Sequence, residues 1–254
     1  MPQAAVKTKP KSKKARLDVR LVELGLAESR QRAQALILAG KVSVNRQRAD
    51  KSGMRVAEDA TVALTGAPLR YASRGGLKLE AALADFDVDP AGKICLDAGS
   101  STGGFTDCLL QADAARVYAV DVNLAQLAWK LRQDARVTGV ERNARYLKPG
   151  DIGEAVELVT ADLSFISTAK VLPALVPLAR TGADFLILVK PQFELDRGDV
   201  GAGGIVRDAR LHERAIVRVR DAAEAAGLEV LGVLPSRVKG AEGNQEFFLH
   251  ARRP

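Results

Sequence analysis

Residues 96–105 read LDAGSSTGGF, from Leu96 to Phe105, and this stretch decides the fold. It follows the apolar run Ile94-Cys95-Leu96 and precedes a helical pattern, so it forms a small-residue loop at the carboxyl end of a strand. Small residues let a ligand approach the backbone closely, and the next helix offers its free N–H groups at the same point. The loop therefore predicts a ligand site where the first strand ends.

Strand-like apolar runs alternate with helical ones from Lys93 onward. The runs lie at residues 94–96, 117–120, 137–140, 158–159, 185–189, 230–233 and 247–249. Each of the first five is followed by a stretch that we interpret as a helix. Repeated strand–helix units predict an α/β fold, a doubly wound, Rossmann-like sheet of seven strands that binds ligands at the carboxyl ends of its strands.

The form of the loop favours S-adenosyl-L-methionine over a dinucleotide. A dinucleotide fold would show GxGxxG, whereas this loop has the form DxGxxxGG with an acid at its start. Asp121 ends the second strand, where it can accept hydrogen bonds from ribose hydroxyls, and Asn143 follows the third strand, either beside the adenine or in an ordinary polar loop. The glycines could also simply make a tight turn. The candidate cofactor-binding residues are Asp97, Gly99, Ser100, Thr102, Gly103, Gly104, Phe105, Asp121, Asn143 and Asp162.

The fourth strand ends in Ala161-Asp162-Leu163-Ser164-Phe165, where a methyl donor should face its acceptor. Enzymes that methylate the adenine amino group carry an Asn/Asp-Pro-Pro-aromatic run there, and this chain has none. Cytosine-C5 enzymes need a nucleophilic cysteine, but Cys95 lies within a strand and Cys108 within a helix, which favours buried apolar roles. With two cysteines and two separated histidines, the sequence predicts no metal site.

Four charged residues remain as candidate catalytic groups: Lys78, Asp162, Lys190 and Glu246. Asp162 and Lys190 end strands, Glu246 begins the last strand, and Lys78 lies in the helix that opens the large domain. Charged groups at three strand boundaries on one sheet edge could converge on one point. Each one taken alone could equally belong to a surface ion pair.

The positive charge is concentrated near the N-terminus. Residues 1–70 hold 15 Lys+Arg and 6 Asp+Glu, whereas the remaining residues are nearly neutral. The net charge of +7 that the whole chain carries therefore comes from this first part. A basic segment joined to a near-neutral body predicts an arm that binds a polyanion and a body with another task. There is no apolar run long enough to cross a bilayer and no secretory pattern, so we expect a cytoplasmic protein that does not act on membranes.

The basic quarter contains a small folded unit. We predict a disordered tail at residues 1–15, a domain at 16–66, a linker at 67–74 and the large domain at 75–254. The helical spacing after Arg16 ends at Gly25, and Ser29 caps a second helix that ends at Gly40. Short strands are predicted at residues 41–45 and 61–64.

The run RLDVRLVELGLAESRQRAQALILAGKVSVN, residues 16–45, resembles an S4 RNA-binding domain. The resemblance implies that basic residues of the second helix and the following loop face structured RNA. The chain departs from the family at Arg46, where glycine is usual, and at Ser52, where proline is common. A surface helical hairpin with solvated arginines is the alternative. The candidate RNA-binding residues are Arg16, Arg30, Arg32, Lys41, Arg46 and Lys51.

The whole chain resembles the TlyA (haemolysin A) family. The resemblance rests on the helical hairpin and on SRGGLKL, LDAGSSTGGF, VTADLSFIS, LVKPQFE and EFF. The catalytic half is similar to FtsJ-type ribose 2′-O-methyltransferases, which have a class I methyltransferase sheet and a Lys-Asp-Lys-Glu tetrad. That tetrad falls on Lys78, Asp162, Lys190 and Glu246 in order. The resemblance implies methyl transfer from S-adenosyl-L-methionine to a ribose 2′-hydroxyl, of a cytidine in 16S or 23S ribosomal RNA.

The sequence leaves two assignments open for the ribose proton. Either Lys190 takes it, or Lys190 stays charged and stabilises the developing alkoxide while Asp162 takes it. The glycine-rich stretch at residues 192–207 is predicted to be a mobile loop over the target nucleotide. Within it, Phe193 either stacks on an extruded base or packs beneath the loop.

We expect a monomer that acts on ribosomal RNA or on ribosomal subunits. Two other functions compete with this one. The chain could be an RNA-binding assembly factor with a catalytic fold that transfers no methyl group. It could also be a membrane-lytic protein, as the haemolysin label of the family suggests, although the sequence has no spanning helix, cationic amphipathic helix or β-barrel pattern.

Overall fold

The computed structural model describes residues 14–27, 29–38, 40–65, 70–240 and 243–254. The chain divides into two compact units, residues 1–68 and 69–254. Residues 1–13 of the predicted tail and 67–69 of the predicted linker lie outside the described residues. Residues 70–74 fall within the second unit, where Tyr71 is buried in the core rather than exposed in a linker.

The first unit starts with a strand. β1 (Lys14–Arg16) pairs antiparallel with β4 (Arg55–Ala57), so Lys14 and Ala15, which we had placed in the tail, belong to a strand. The other elements are α1 (Leu17–Glu23), α2 (Arg30–Leu38), β2 (Val42–Val44), β3 (Gln47–Arg48) and β5 (Val62–Leu64). β2 lies between β3 and β5 and pairs antiparallel with both.

The predicted ends of the two helices are confirmed. Gly25 and Gly40 follow α1 and α2 with φ of 68° and 66°, the left-handed conformation that ends helices. The Ser29 hydroxyl accepts a hydrogen bond from the Arg32 amide at 3.2 Å, so Ser29 caps α2. The helices and strands enclose a small apolar core of nine buried residues: Leu17, Leu21, Ala27, Ala33, Ile37, Val42, Val44, Ala49 and Val56.

The turn between β2 and β3 shows why glycine is usual at the position of Arg46. Asn45 and Arg46 have φ of 51° and 67°, so both central residues of this two-residue turn are left-handed. Hairpin turns of this form favour Asn followed by Gly. Arg46 therefore adopts a backbone conformation in which glycine would be unstrained.

The second unit is an α/β sandwich, as predicted. Its elements are α3 (Gly75–Asp85), β6 (Ile94–Ala98), α4 (Gly104–Gln111), β7 (Arg116–Asp121), α5 (Trp129–Arg132), β8 (Val137–Glu141), β9 (Val156–Ala161), α6 (Leu172–Leu175), β10 (Ala179–Val189), α7 (Pro191–Glu194), α8 (Ala209–Ala225), β11 (Glu229–Pro235) and β12 (Phe247–Arg252). The seven strands lie in the order β11-β12-β10-β9-β6-β7-β8. The five from β10 to β8 are parallel, and β12 is antiparallel to both neighbours.

Successive strand residues face opposite layers. In β6, Leu96 joins the cluster that packs against α6 and α8, whereas Cys95 joins the cluster that contains α3 and α4. This alternation follows from the period of two in a strand, and both faces are apolar because helices cover both. The strands are consequently continuous apolar runs, which is why their positions could be predicted.

Two predicted features differ. Only 3-10 turns follow β8, at Ala144–Tyr146 and Pro149–Asp151, so the third strand has no helix after it. The segment at residues 192–207 contains more regular structure than a loop, namely most of α7 and two 3-10 turns, and its mobility stays a prediction. Near its end, Asn244 accepts a hydrogen bond from the Val206 amide at 2.9 Å and donates one to the Gly204 carbonyl at 2.8 Å.

Candidate active site

Two adjoining cavities open at the carboxyl edge of the parallel strands. The smaller cavity has a volume of about 290 Å³ and is lined by Lys78, Asp162 and Lys190. The larger cavity has a volume of about 1140 Å³ and is lined by residues that follow β7, β8, β9 and β10. Four residues line both: Gly99, Ser101, Asp162 and Ser164. Because β12 is antiparallel, its first residues reach the same edge.

The four predicted catalytic residues form two ion pairs. Lys78 Nζ lies 2.5 Å from Glu246 Oε2, and Lys190 Nζ lies 2.5 Å from Asp162 Oδ1. Lys190 Nζ also donates a hydrogen bond to Ser164 Oγ at 3.0 Å. Residues as far apart in sequence as Lys78 and Glu246 thus meet where the sheet ends. Both lysine side chains are largely buried, and within each pair the carboxylate neutralises the charge of the lysine.

The Lys190–Asp162 contact leaves the carboxylate available to a ligand. Asp162 Oδ1 is buried and accepts no hydrogen bond from the described residues, because the ammonium group approaches it without hydrogen-bond geometry. The Asp162 amide donates to the Ala98 carbonyl at 3.0 Å, which holds this position at the end of β9. The Asp162 side chain is still 22% exposed beside the ammonium group, so its carboxylate can accept a proton from a ligand in the cavity.

Glu246 is held from both sides. Its side chain is 2% exposed, and its backbone carbonyl accepts hydrogen bonds from the Ser236 amide and the Gln245 side chain, both at 2.8 Å. A Cβ atom on Gly240 would lie 2.1 Å from Glu246 Oε1, so a larger residue there would displace this carboxylate. Gly240 is therefore a site residue that the sequence did not reveal.

Five of the predicted loop residues line the smaller cavity: Gly99, Ser100, Thr102, Gly104 and Phe105. A Cβ on Gly99 would lie 2.6 Å from the Asp162 carbonyl, and its φ of 86° is left-handed, so the loop needs glycine there. Ser100 is only 4% exposed, and its hydroxyl has no hydrogen-bond partner among the described residues. A buried, unpaired hydroxyl on a cavity wall indicates a polar ligand.

Asp97 and Gly103 line neither cavity, and their contact with a ligand stays a prediction. Asp97 is fully buried and accepts hydrogen bonds from Thr106 Oγ1 at 2.7 Å and Thr160 Oγ1 at 3.3 Å. Burial raises the pKa of Asp97 to about 7. Gly103 precedes α4 with φ of 92°, against Leu131. Both residues support the conformation of the loop from its side facing the protein interior.

Asp121 and Asn143 both line the larger cavity. Asp121 Oδ2 accepts a hydrogen bond from the Ser101 amide at 2.9 Å, and its Oδ1 accepts one from the Asn123 amide at 3.0 Å. The Asn143 side chain accepts from the Arg145 amide at 3.0 Å. The first contact ties the end of β7 to the small-residue loop, so the two cavities share one wall.

An aromatic pair stands beside the Lys190–Asp162 ion pair. The rings of Phe165 and Phe193 are 5.4 Å apart and tilted, and Lys190 Nζ is 5.8 Å from the Phe193 centroid. Phe193 is half-buried, whereas Phe165 is 92% exposed and has φ of 64°. The sequence drew attention to Phe193 alone. Phe165 was missed because neither its exposure nor its backbone strain can be read from the sequence.

A buried carboxylate, also missed, joins the two loops that carry this pair. Glu194 is 1% exposed and accepts hydrogen bonds from Ser167 Oγ at 2.5 Å and the Thr168 amide at 2.7 Å. Burial raises the pKa of Glu194. Its backbone carbonyl accepts from Arg218 at 2.7 Å. Glu194 thereby ties the segment after β9 to the segment after β10.

The first unit presents basic side chains, but two of them are already engaged. Asp18 is fully buried, and its carboxylate accepts from Arg16 at 2.9 Å, Gln34 at 2.9 Å and Arg30 at 3.4 Å. These contacts hold the pKa of Asp18 well below its usual range, chiefly through Arg16. Arg16 and Arg30 therefore also support the local structure. The other four candidates are exposed: Arg32, Lys41, Arg46 and Lys51.

The cysteines are buried, as predicted, and burial raises the pKa of both thiols to about 12. Within the described ranges, no group of three or more His, Cys, Asp or Glu side chains could hold a metal ion. None of the helices described is long and apolar enough to span a membrane.

The fold and the site define the class of S-adenosyl-L-methionine-dependent methyltransferases. The features that do so are a doubly wound sheet, a small-residue loop after its first strand, an acid after its second strand and a Lys-Asp-Lys-Glu cluster. Comparison with known proteins agrees. The FtsJ-like methyltransferase family model matches residues 71–253, and the S4 domain model matches residues 15–62. The chain belongs to the FtsJ-like methyltransferase family and carries an S4 domain at its N-terminus.

Relatives match over nearly the full chain. The 16S/23S rRNA (cytidine-2′-O)-methyltransferase TlyA of Mycobacterium tuberculosis (strain H37Rv) is 49% identical over 95% of this chain and 91% of its own length. Hemolysin A of Brachyspira hyodysenteriae is 38% identical over 92% and 98%. A solved structure of a hemolysin-type protein from Streptococcus thermophilus, 43% identical, superposes with a TM-score of 0.73 over 94% of this chain and 88% of that one. The predicted membership of the TlyA family is confirmed.

Proposed function

We propose that the chain transfers a methyl group from S-adenosyl-L-methionine to a ribose 2′-hydroxyl, of a cytidine in 16S or 23S ribosomal RNA or both. One observation carries this proposal: two lysine–carboxylate pairs, Lys78–Glu246 and Lys190–Asp162, meet beside the small-residue loop. The ribosomal target is supported by the name of the Mycobacterium relative, which acts on 16S and 23S rRNA. Such a reaction belongs in the cytoplasm, where ribosomes are assembled.

The site fits the cofactor that the fold and family imply. Asp121 and Asn143 would hold the adenosine end in the larger cavity, and the backbone of Gly99 would lie against the ligand where the two cavities meet. The buried hydroxyl of Ser100 would gain the partner that it lacks among the described residues. When bound, S-adenosyl-L-methionine supplies an electrophilic methyl group on a positively charged sulfur.

In the proposed mechanism, the Lys190–Asp162 pair removes the ribose proton. The Asp162 carboxylate, whose side chain is 22% exposed at the cavity, accepts this proton, while Lys190 stays charged and stabilises the oxygen as negative charge develops on it. Ser164 holds the Lys190 ammonium group in place at 3.0 Å. Glu246 fixes Lys78, the second cation lining the same cavity, so that the ribose oxygen enters a site of fixed dipoles.

The RNA would be held at two places. Exposed basic residues of the first unit would contact phosphates, and the aromatic pair Phe165 and Phe193 would receive the base of the target nucleotide. The exposed ring of Phe165 next to the half-buried ring of Phe193 provides a stacking surface at the mouth of the larger cavity. We expect the chain to act as a monomer, which light scattering of the pure protein would test.

Methyl transfer to separated subunits tests this function. Purified protein is incubated with methyl-labelled S-adenosyl-L-methionine and 30S or 50S subunits that lack native methylation, beside Lys190→Ala. Label in one or both rRNAs that disappears in the variant supports the proposal, and sequencing of the labelled RNA identifies the nucleotide. Label on a base, or label that survives Lys190→Ala, contradicts it.

Two rival functions appear as distinct outcomes. Tight RNA binding without any transfer, on subunits or on naked RNA, would mark an assembly factor. Because one relative is named Hemolysin A, lysis of erythrocytes by the pure protein is measured in parallel with the same variant. Lysis that is unaffected by Lys190→Ala while no methyl group is transferred would favour a membrane-lytic protein.

A further inference from the structure

The smaller cavity contains more positive charge than the tetrad uses. Four cations line it: Arg74, Lys78, Lys190 and Lys239. Lys78 and Lys190 are each matched by a carboxylate, Glu246 and Asp162. Neither Arg74 nor Lys239 forms an ion pair with any carboxylate in the part of the chain that the structure describes. Two cations therefore remain uncompensated on the wall of a small cavity, which favours an anionic ligand.

Hydroxyl groups line the same wall, and one of them, that of Ser100, is also the hydroxyl that we assign to the cofactor. Ser100 is 4% exposed, and its hydroxyl has no partner among the described residues. The hydroxyl-bearing residues Ser73 and Ser164 line the same cavity. Buried hydroxyls normally find a partner, so this wall is arranged for an oxygen-bearing group rather than for an apolar one.

The chemistry of the proposed reaction identifies the anion. In RNA, the 2′-hydroxyl and the 3′-phosphodiester are attached to adjacent carbons of one ribose. A 2′-oxygen that reaches Asp162 and Lys190 therefore brings its own 3′-phosphate to the neighbouring part of the site. That phosphate carries a full negative charge and would otherwise lie close to two carboxylates.

We propose that Arg74 and Lys239 form a subsite for the phosphate on the 3′ side of the target ribose. This inference rests on the proposed function and adds a binding site to it. Arg74 directly precedes α3, which carries Lys78, and Lys239 precedes the segment that leads to Glu246. Phosphate binding at this subsite fixes the ribose relative to the tetrad, because the phosphorus is only three bonds from the carbon that bears the reacting oxygen.

Nicked RNA substrates test the subsite. The RNA is assembled from two pieces that meet immediately 3′ of the target nucleotide, and the upstream piece ends in either a 3′-phosphate or a 3′-hydroxyl. Wild type, Arg74→Gln and Lys239→Gln are compared in single-turnover methylation, with Arg116→Gln as control because it removes a cation paired with Glu154 at the opposite edge of the sheet. Thermal unfolding confirms that each variant is folded.

We expect each variant to slow transfer to the phosphate-bearing RNA by roughly 10- to 100-fold, the effect of losing a hydrogen bond to a charged group. On the hydroxyl-bearing RNA, wild type and variants should react at the same reduced rate. Equal losses on both RNAs would overturn the proposal. So would a weakened dissociation constant for S-adenosyl-L-methionine with unchanged RNA dependence, since the anion would then be the carboxylate of the cofactor.

The salt dependence of RNA binding separates this inference from the proposed function. If wild type transfers no methyl group to any RNA, the proposed function fails, but binding can still be measured. Loss of one phosphate contact lowers the slope of log K against log salt by about 1. A slope that falls in Arg74→Gln and Lys239→Gln, and not in Arg116→Gln, supports the phosphate subsite. An unchanged slope in both variants overturns it.

Discussion

The buried carboxylate of Asp97 makes the stability of the catalytic unit depend on pH. Burial raises its pKa to about 7, against an ordinary value of 3.8. Between these values the folded state binds the proton more tightly than the unfolded chain, so this group makes the protein less stable as the pH rises from about 4 to about 7. At about 1.4 kcal/mol per pKa unit, the loss amounts to about 4 kcal/mol at neutral pH and above.

Asp97→Asn removes this titration and keeps the hydrogen bonds. The asparagine oxygen can accept from Thr106 Oγ1, and the amide can donate to Thr160 Oγ1, which itself donates to the Leu96 carbonyl. We therefore expect the free energy of unfolding of the variant, relative to wild type, to increase by about 4 kcal/mol between pH 4 and pH 8. Most of the increase should occur below pH 7.

Urea unfolding followed by tryptophan fluorescence measures this difference, because the single tryptophan, Trp129, lies in the catalytic unit. Other titrating groups cancel in the difference between the two proteins. Thr106→Val serves as a control that removes one hydrogen bond and keeps the carboxyl group. A difference between Asp97→Asn and wild type that does not change with pH would refute the argument.

Three further changes have defined outcomes. Lys190→Arg keeps the positive charge, but arginine cannot act as a base. If Asp162 takes the proton, this variant should retain methyl transfer within about 100-fold of wild type. Loss of activity at every pH would instead assign the base to Lys190. Gly99→Ala places a Cβ 2.6 Å from a backbone oxygen and should lower the affinity for the cofactor at least about 10-fold, as measured by calorimetry. Gly227→Ala is the control, because Gly227 has a similar φ of 88° but open space around it. This control should cost only about 1–2 kcal/mol of stability and leave cofactor binding intact. Arg46→Gly should stabilise the S4 unit by about 0.5–1 kcal/mol, because glycine relieves the backbone strain at this position. Hydrogen exchange in β2 and β3 measures the change. Destabilisation would show that contacts of the arginine side chain stabilise the unit by more than the strain costs.

The sequence predicted the sheet and the tetrad because both depend on local patterns. Buried parallel strands are continuous apolar runs, and catalytic residues lie where those runs end, so Asp162 and Lys190 could be located without coordinates. Their grouping with Lys78 and Glu246 was implied by the family resemblance, and the structure brings all four together as two ion pairs.

What the sequence could not provide depends on tertiary contacts. Asp97 faces inward from β6, toward threonines of other elements, although it begins the ligand loop. Lys14 belongs to a strand whose partner strand lies some forty residues away in the chain, so the local sequence does not reveal this strand. The buried Asp18 engages Arg16 and Arg30, which sequence position alone would leave free for RNA. The assignment of the remaining candidates to cofactor or RNA stays a prediction.

The position of the transferred methyl group tests the central claim most directly. Labelled rRNA from the transfer reaction is digested completely with alkali, which needs a free 2′-hydroxyl to cleave the chain. If the Lys78–Glu246 and Lys190–Asp162 pairs act on ribose, the label is recovered in alkali-resistant dinucleotides and is absent with Lys190→Ala. Label recovered in mononucleotides would place the methyl group on a base and contradict the account.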